Sequence, residues 1–196
     1  MTTPIIFVGG IHGAGKSTFG RRVAESLGIG HVAASTLIRE AALAAEEDAP
    51  LAAGKAVANV DENQQRLIIG LTSYLRSKEH DSLPLSGLIL DGHFSVIDSS
   101  NRVSEISPKV FASLGIRAIL LVEVDPKAAF ERLLNRDGGA PPIELLTALA
   151  SSEARHADFV AASLDVPVYR VSGEVDMEVS ARTAAVQLQP HVRGAH

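Results

Sequence analysis

Near the amino end, Gly10-Ile11-His12-Gly13-Ala14-Gly15-Lys16-Ser17-Thr18 brings together glycines, a lysine and two adjacent hydroxyls. The spacing G-x-x-x-x-G-K-[ST] is that of a loop built to cradle phosphates. Gly10, Gly13 and Gly15 have no Cβ, so the backbone can take positive φ and approach a ligand closely. Successive N–H groups then face inward as an anion-binding nest, reinforced by the positive end of the helix that follows. Lys16 is spaced to reach the β- and γ-phosphates, and the Ser17 hydroxyl to ligate Mg²⁺. Thr18, at the start of the helix, is placed against the α-phosphate. The chemistry implied is binding of a nucleoside triphosphate. The reaction stays open, because such loops serve kinases, ATPases and switches alike.

The flanking residues supply the context this loop requires. Pro4 to Val8 is a short apolar run that reads as a buried strand, and Lys16 to Leu27 places Phe19, Val23, Ala24 and Leu27 at helical spacing. A later strand, Gly87-Leu88-Ile89-Leu90, ends in Asp91-Gly92-His93. Ligands bind at the carboxyl ends of strands in open α/β sheets, so Asp91 is the acidic residue expected to hold Mg²⁺, directly or through water. His93 is placed to contact a substrate, or equally to bond backbone within its loop.

Composition sets the bounds. In 196 residues, 46% are hydrophobic and 21% charged, enough for one α/β core and too little for two large domains. With two Tyr, six Phe and no Trp, that core must be built from Leu, Ile, Val and Ala. A formal net charge of −5 argues against a general nucleic-acid-binding surface. The absence of Cys excludes disulfides, thiolate metal sites and a cysteine nucleophile. No apolar run approaches the ~18 residues of a membrane helix, and no secretory signal pattern opens the chain, so a cytoplasmic location without membrane attachment is expected.

The remaining elements follow in order. Gly28-Ile29-Gly30 ends the first helix, and His31-Val32-Ala33 reads as a second strand. Ser35 is spaced to cap a helix over residues 36–47, with a break at Pro50 to Gly54. Asp61 and Gln64 have capping-box-like spacing at the head of a helix through Leu75. These two helices, with no strand of their own, read as an insertion. Residues 94–98 and 102–106 suit a hairpin about Ser99-Ser100-Asn101. Pro108 opens a short helix ended by Gly115. Ile116 to Val124 is a buried strand, and Asp125-Pro126 starts a helix. A long helix over about 143–164, a strand over 166–171 and a helix over about 175–189 complete the chain, with Gly194-Ala195-His196 frayed. Alternating strands and helices predict an α/β three-layer fold: a five-stranded parallel sheet with right-handed crossovers and helices on both faces.

Phosphoryl transfer also needs cations around the moving group. Arg132 and Arg136 lie four apart on one helix, Arg136 beside Gly138-Gly139, and Arg155 lies on the helix that leaves that turn. Together they suit a closing lid. The alternative is solvated helix faces with ion pairs to Glu131, Asp137 or Glu153. Ser35, Thr36 and Arg39 on one helix, and Gln64 with Arg66 on the next, are candidates for holding a phosphoryl acceptor, Gln64 and Arg66 being equally at home on a solvated face.

These residues together resemble the P-loop nucleoside monophosphate kinases, and within them the archaeal-type adenylate kinases and their small bacterial relatives. The likeness is carried by the phosphate loop, by Leu90-Asp91-Gly92-His93 and by Asp125-Pro126…Arg132…Arg136-Asp137, and it spans nearly the whole chain in element order. It implies a single P-loop kinase domain with a core at 1–33, 87–131 and 143–196, an acceptor-binding insertion at 34–86 and a short lid at 132–142. Arg132 would stack on the ATP base, Arg136 would contact phosphates, Arg155 would match a third arginine, and Ser172-Gly173 would lie against the adenine. Thr36 and Arg39 are three apart where the bacterial enzymes space Thr and Arg by five, and both the long bacterial lid and the arginine-rich archaeal one are absent. The expected activity is ATP- and Mg²⁺-dependent phosphoryl transfer to a nucleoside monophosphate. A small-metabolite kinase of shikimate or gluconate type, and an ATP-binding switch with slow turnover, are the alternatives.

Overall fold

The apolar runs that precede Gly10, Asp91 and Asp125 become three adjacent parallel strands. The computed structural model describes residues 3–45, 56–57, 59–79, 85–174 and 176–192. Strand β1 (Ile5–Gly9) leads into helix α1 (Lys16–Leu27), followed by β2 (Gly30–Ala33) and α2 (Ala34–Ala44). After β3 (Ala56–Val57) come α3 (Val60–Glu79), β4 (Leu88–Asp91), β5 (Ser95–Asp98), β6 (Val103–Glu105) and α4 (Pro108–Leu114). The last elements are β7 (Ile116–Glu123), α5 (Pro126–Asp137), α6 (Ile143–Leu164), β8 (Val168–Ser172) and α7 (Met177–Val192).

The main sheet has the order β2-β4-β1-β7-β8, and every pairing in it is parallel. Because β1 is flanked on both edges and covered on both faces, all five of its residues are buried, which is why it reads as an unbroken apolar run. Alternation sorts its side chains. Ile5 and Phe7 join Leu88, Leu90, Ile119 and Leu121 in one core with α2, α3, α4 and part of α6. Ile6 and Val8 join Ile89, Ala118, Leu120 and Val122 in the other, with α1 and α7. Helices therefore cover both faces, as the sequence predicts. Fully burying one such Leu or Ile contributes about 2 kcal/mol, and this two-sided core is what fixes the carboxyl ends of β1, β4 and β7 relative to one another.

Beneath the site a cluster of aromatic rings anchors the turn after β4. Phe94 packs against Phe7 and Phe111 with ring centroids 4.9 Å away in each case. The hairpin expected after Phe94 forms, with β5 and β6 antiparallel.

Several local expectations are corrected. Ala56–Val57 pairs in parallel with Ile97 and Asp98, so the insertion does own a short strand, in a second sheet ordered β3-β5-β6. Ser35 is not a cap: α2 starts at Ala34, after an extended Ala33 that makes no side-chain cap. α3 starts at Val60, and its cap is Asn59, whose Oδ1 accepts from the Glu62 N–H at 3.1 Å; Asp61 lies inside the first turn. Helix α7 spans Met177–Val192. Helix α2 ends at Ala44 with Ala45 as its cap, short of the expected Glu47, while the expected break at Pro50 to Gly54 and the frayed tail at 194–196 lie outside the described residues.

Candidate active site at the carboxyl edge of the sheet

The phosphate loop leaves the buried end of β1 and returns as α1. Its glycines adopt the conformations their positions require: φ is 143° at Gly10, 81° at Gly13 and 88° at Gly15. Gly15 is the left-handed cap of α1, and a Cβ on Gly13 would lie 2.8 Å from the Ala129 carbonyl on α5. Lys16 is buried, and its Nζ donates to the Ile11 carbonyl at 3.0 Å, folding the ammonium group over the loop. The His93 Nε2 lies 3.5 Å from that Nζ, and the His12 and His93 rings lie 4.2 Å apart. Ala14 is buried inside the loop, and Thr18 is exposed on the first turn of α1.

Asp91 meets the loop as its strand position requires. The Ser17 hydroxyl donates to Oδ1 at 3.0 Å, while Oδ2 lies 2.6 Å from Nε2 of His31. His31 is reached through the parallel pairing of β2 with β4. It is a site residue that sequence reasoning missed, since one histidine in a short strand carries no signal of its own. A hydroxyl and a carboxylate, both hard oxygen donors, side by side at the mouth of a phosphate loop suit Mg²⁺. Among the described residues no group of three or more His, Asp or Glu forms a metal site by itself.

Arg132 and the turn after β8 close one side of the loop. The Arg132 guanidinium donates to the Gly13 carbonyl at 3.2 Å and to the Gly173 carbonyl at 3.1 Å. Gly173 donates its N–H to the Glu123 carbonyl at 2.6 Å, and a Cβ on it would sit 2.9 Å from the Ala14 carbonyl, so only glycine lets this turn lie so close to the loop. The Ser172 Oγ accepts from the Glu174 N–H at 3.2 Å.

The other candidates sit further out. Arg136 is exposed and pairs with its neighbour Asp137 at 2.7 Å. Arg155 is exposed and pairs with Glu105 at 2.8 Å, holding that carboxyl below its ordinary range chiefly by hydrogen bonding. Ser35 and Arg39 are exposed on α2, with Thr36 half-buried between them. The Gln64 Oε1 accepts from the Ser107 N–H at 3.4 Å, tying α3 to the head of α4. Arg66 is buried and bonds Glu62 on its own helix.

Glu153 is the second residue missed. It is 2% exposed, its Oε1 accepts from the Gly10 N–H at 2.8 Å, and its Oε2 accepts from the N–H groups of Phe94 at 3.0 Å and Ser95 at 2.7 Å. Burial pushes its carboxyl up to about 7, against the pull of Lys16 and of its three amide donors. A signal existed: Leu146, Leu149, Glu153, Ala157 and Val160 share the i, i+3, i+4 stripe that α6 buries.

Among the described residues no helix is long and apolar enough to cross a membrane. Residues 9–145 match the family model described as an AAA domain. The chain is 26% identical over 133 residues to an adenylate kinase of Streptococcus uberis, a match covering 67% of this chain and 59% of that protein's length. Its fold is similar to a sugar kinase from Janibacter (TM-score 0.58, 15% identity, 99% of this chain and 100% of that one). It is also similar to a gluconokinase from Sinorhizobium meliloti (TM-score 0.55, 17% identity, 96% and 95%). The fold is that of the P-loop kinases, and with most of its length inside the matched region the chain belongs to the AAA-domain family.

Proposed function

We propose that this protein is an ATP-dependent phosphotransferase whose acceptor is a nucleoside monophosphate. The observation that carries the reading is the Ser17 hydroxyl bonded to Asp91 at the mouth of a glycine loop whose lysine is folded over it. The resemblance to adenylate kinases supports the acceptor class. Bound Mg²⁺, held by Ser17 and Asp91, would supply charge neutralisation between the terminal phosphates.

The protein's own part is positioning and electrostatics. The loop amides and Lys16 hold the donor phosphates. An acceptor phosphate oxygen attacks the γ-phosphorus, the bond to the β–γ bridging oxygen breaks, and ADP leaves with that electron pair. No covalent enzyme intermediate is needed. Arg132 and Ser172-Gly173 border the base site. Arg136 and Arg155 stabilise charge on the moving group once residues 132–142 close as a lid. Their present partners do not forbid this, since an exposed ion pair is worth less than about 1 kcal/mol and exchanges readily. Residues 34–86, with Ser35, Thr36, Arg39 and Gln64, hold the acceptor, and His93 faces it from the phosphate side.

A second reading keeps the donor site and changes the acceptor to a small-metabolite alcohol of shikimate or gluconate type, favoured by the likeness to a gluconokinase and by an Arg66 already engaged with Glu62. Coupled detection of ADP over a panel of nucleoside monophosphates, gluconate and shikimate decides between them. Stimulation by a monophosphate is expected. Stimulation only by gluconate or shikimate moves the chain to the second reading, and none with any monophosphate rejects the first.

A further inference from the structure

The carboxylate of Glu153 accepts three main-chain amides from two separate loops, and neither loop belongs to its own helix. One is the entry to the phosphate loop at Gly10; the other is the turn after β4 at Phe94 and Ser95, which carries His93. The His93 Nδ1 lies 3.9 Å from Oε1 of the same carboxylate, and its Nε2 faces Lys16. A cavity of about 130 Å³ beside the loop is lined in part by Gly10, Val122, Ala150 and Glu153. Phe94 completes the arrangement, because its ring occupies the space a Cβ on Gly9 would need. Helix α6 begins directly after the segment of Arg136 and Gly138-Gly139.

We propose that Glu153 is a positioning residue: it clamps the first amide of the phosphate loop and the His93 turn to α6, so that loop, turn and helix hold the donor phosphates as one unit. The inference rests on the nucleotide-binding reading of the loop. Three donors on two oxygens require a carboxylate. Glutamine offers one acceptor oxygen, and its NH₂ would face the N–H groups of the other loop, so one of the two attachments must fail. A protonated Glu153 has the same deficit, one accepting oxygen and one donor. The charged and titratable groups near it are Lys16 from α1 and His93 from the turn, with the His12 ring tilted against His93, and Glu123, paired with Arg170, also lining the cavity. All of these are common to wild type and variant.

The test is titration calorimetry of Mg·ADP with wild type and Glu153→Gln between pH 5.5 and 8.5. At the alkaline end the variant should bind about tenfold more weakly, the effect of losing one buried charge-assisted attachment. The gap should close to less than about twofold at the acid end, where the wild type becomes the isostere of the variant. Equal affinities at alkaline pH, or a gap that does not change with pH, would overturn the proposal, the latter marking a purely structural role. A wild type that shows no heat with Mg·ADP refutes the nucleotide reading itself, a distinct result. Should the variant not fold, amide hydrogen exchange on the wild type decides: Gly10, Phe94 and Ser95 are expected to exchange slowly, and exchange at unprotected rates would dismiss the clamp.

Discussion

The Ser17 hydroxyl donates to the Asp91 carboxylate at 3.0 Å across 74 residues of chain. The bond exists because β1 and β4 are neighbours in the sheet, with Val8 in register with Asp91, so the loop leaving one strand passes the end of the other. The other carboxylate oxygen is taken by His31. Asp91→Asn retains shape and removes the charge that a divalent cation needs. The Mg²⁺ concentration giving half-maximal ADP-induced thermal stabilisation should rise by at least about tenfold, with the unliganded melting temperature moved only by a few degrees. An unchanged Mg²⁺ dependence would remove Asp91 from the metal site.

Lys16 is buried, its ammonium group donating to the Ile11 carbonyl of the loop and lying 3.5 Å from Nε2 of His93. Lys16→Ala should leave far-ultraviolet circular dichroism and cooperative unfolding intact while lowering turnover by roughly three orders of magnitude. Activity at the wild-type level would mean that the phosphate site is elsewhere.

The Arg132 guanidinium joins the Gly13 and Gly173 carbonyls, the two walls of the expected base site. Two hydrogen bonds at an exposed position are worth about 1 kcal/mol net. Arg132→Ala should therefore weaken ADP about fivefold to tenfold by calorimetry, and Arg132→Lys, which cannot fork to both carbonyls, should recover little of it. Recovery by lysine would show that charge matters at this position and the fork does not.

Sequence and structure agree most closely where local physics is decisive. Asp125-Pro126 predicted a helix start, and the Asp125 Oδ1 does accept from the Lys127 N–H at 2.7 Å. Gly28, Gly115 and Gly138 end helices in the left-handed conformation that glycine adopts without strain. The apolar runs of β1, β4 and β7 were legible because strands buried on both faces have no polar alternation to hide them. What escaped reading depends on contacts distant in sequence. His31 meets Asp91 only through the pairing of β2 with β4, and Ala56–Val57 is a strand only because Ile97–Asp98 lies beside it. Glu153 is a different case: its charge alone suggests a solvated partner for arginines, while its place among Leu146, Leu149, Ala157 and Val160 puts it on the buried stripe of α6.

Ion pairs on the outer face of α6 give a contrast between a pairing role and a chemical one. Arg155 is 68% exposed and holds the carboxyl of Glu105 below its ordinary range, chiefly by hydrogen bonding. A depressed carboxyl favours the folded state above its unfolded value and loses that contribution as pH falls through the folded one. Arg155→Ala should therefore cost less than about 1 kcal/mol by urea denaturation at pH 7, and progressively less as pH falls below the ordinary 4.5 of a glutamate. If the residue also serves the moving phosphoryl group, the same variant will lower kcat at least about a hundredfold. A loss of stability with unchanged kcat would confine Arg155 to its ion pair.

Glu153 carries the opposite sign. Burial raises its carboxyl to about 7 in the folded protein, from an ordinary value of 4.5. Between those values the folded state holds a proton that the unfolded state has released, so stability must fall as pH rises from about 4.5 to about 7 and level off above it. The full displacement corresponds to at most roughly 3 to 4 kcal/mol. Urea unfolding of the wild type across this interval should show the decline, and Glu153→Gln, which has nothing to ionise, should show it reduced by the same amount. A buried charge that costs folding free energy persists when it holds something in place, and here it holds the entrance of the phosphate loop. If the two proteins have parallel stability profiles across the interval, the carboxyl titrates outside it and the buried charge has been assigned the wrong energetics.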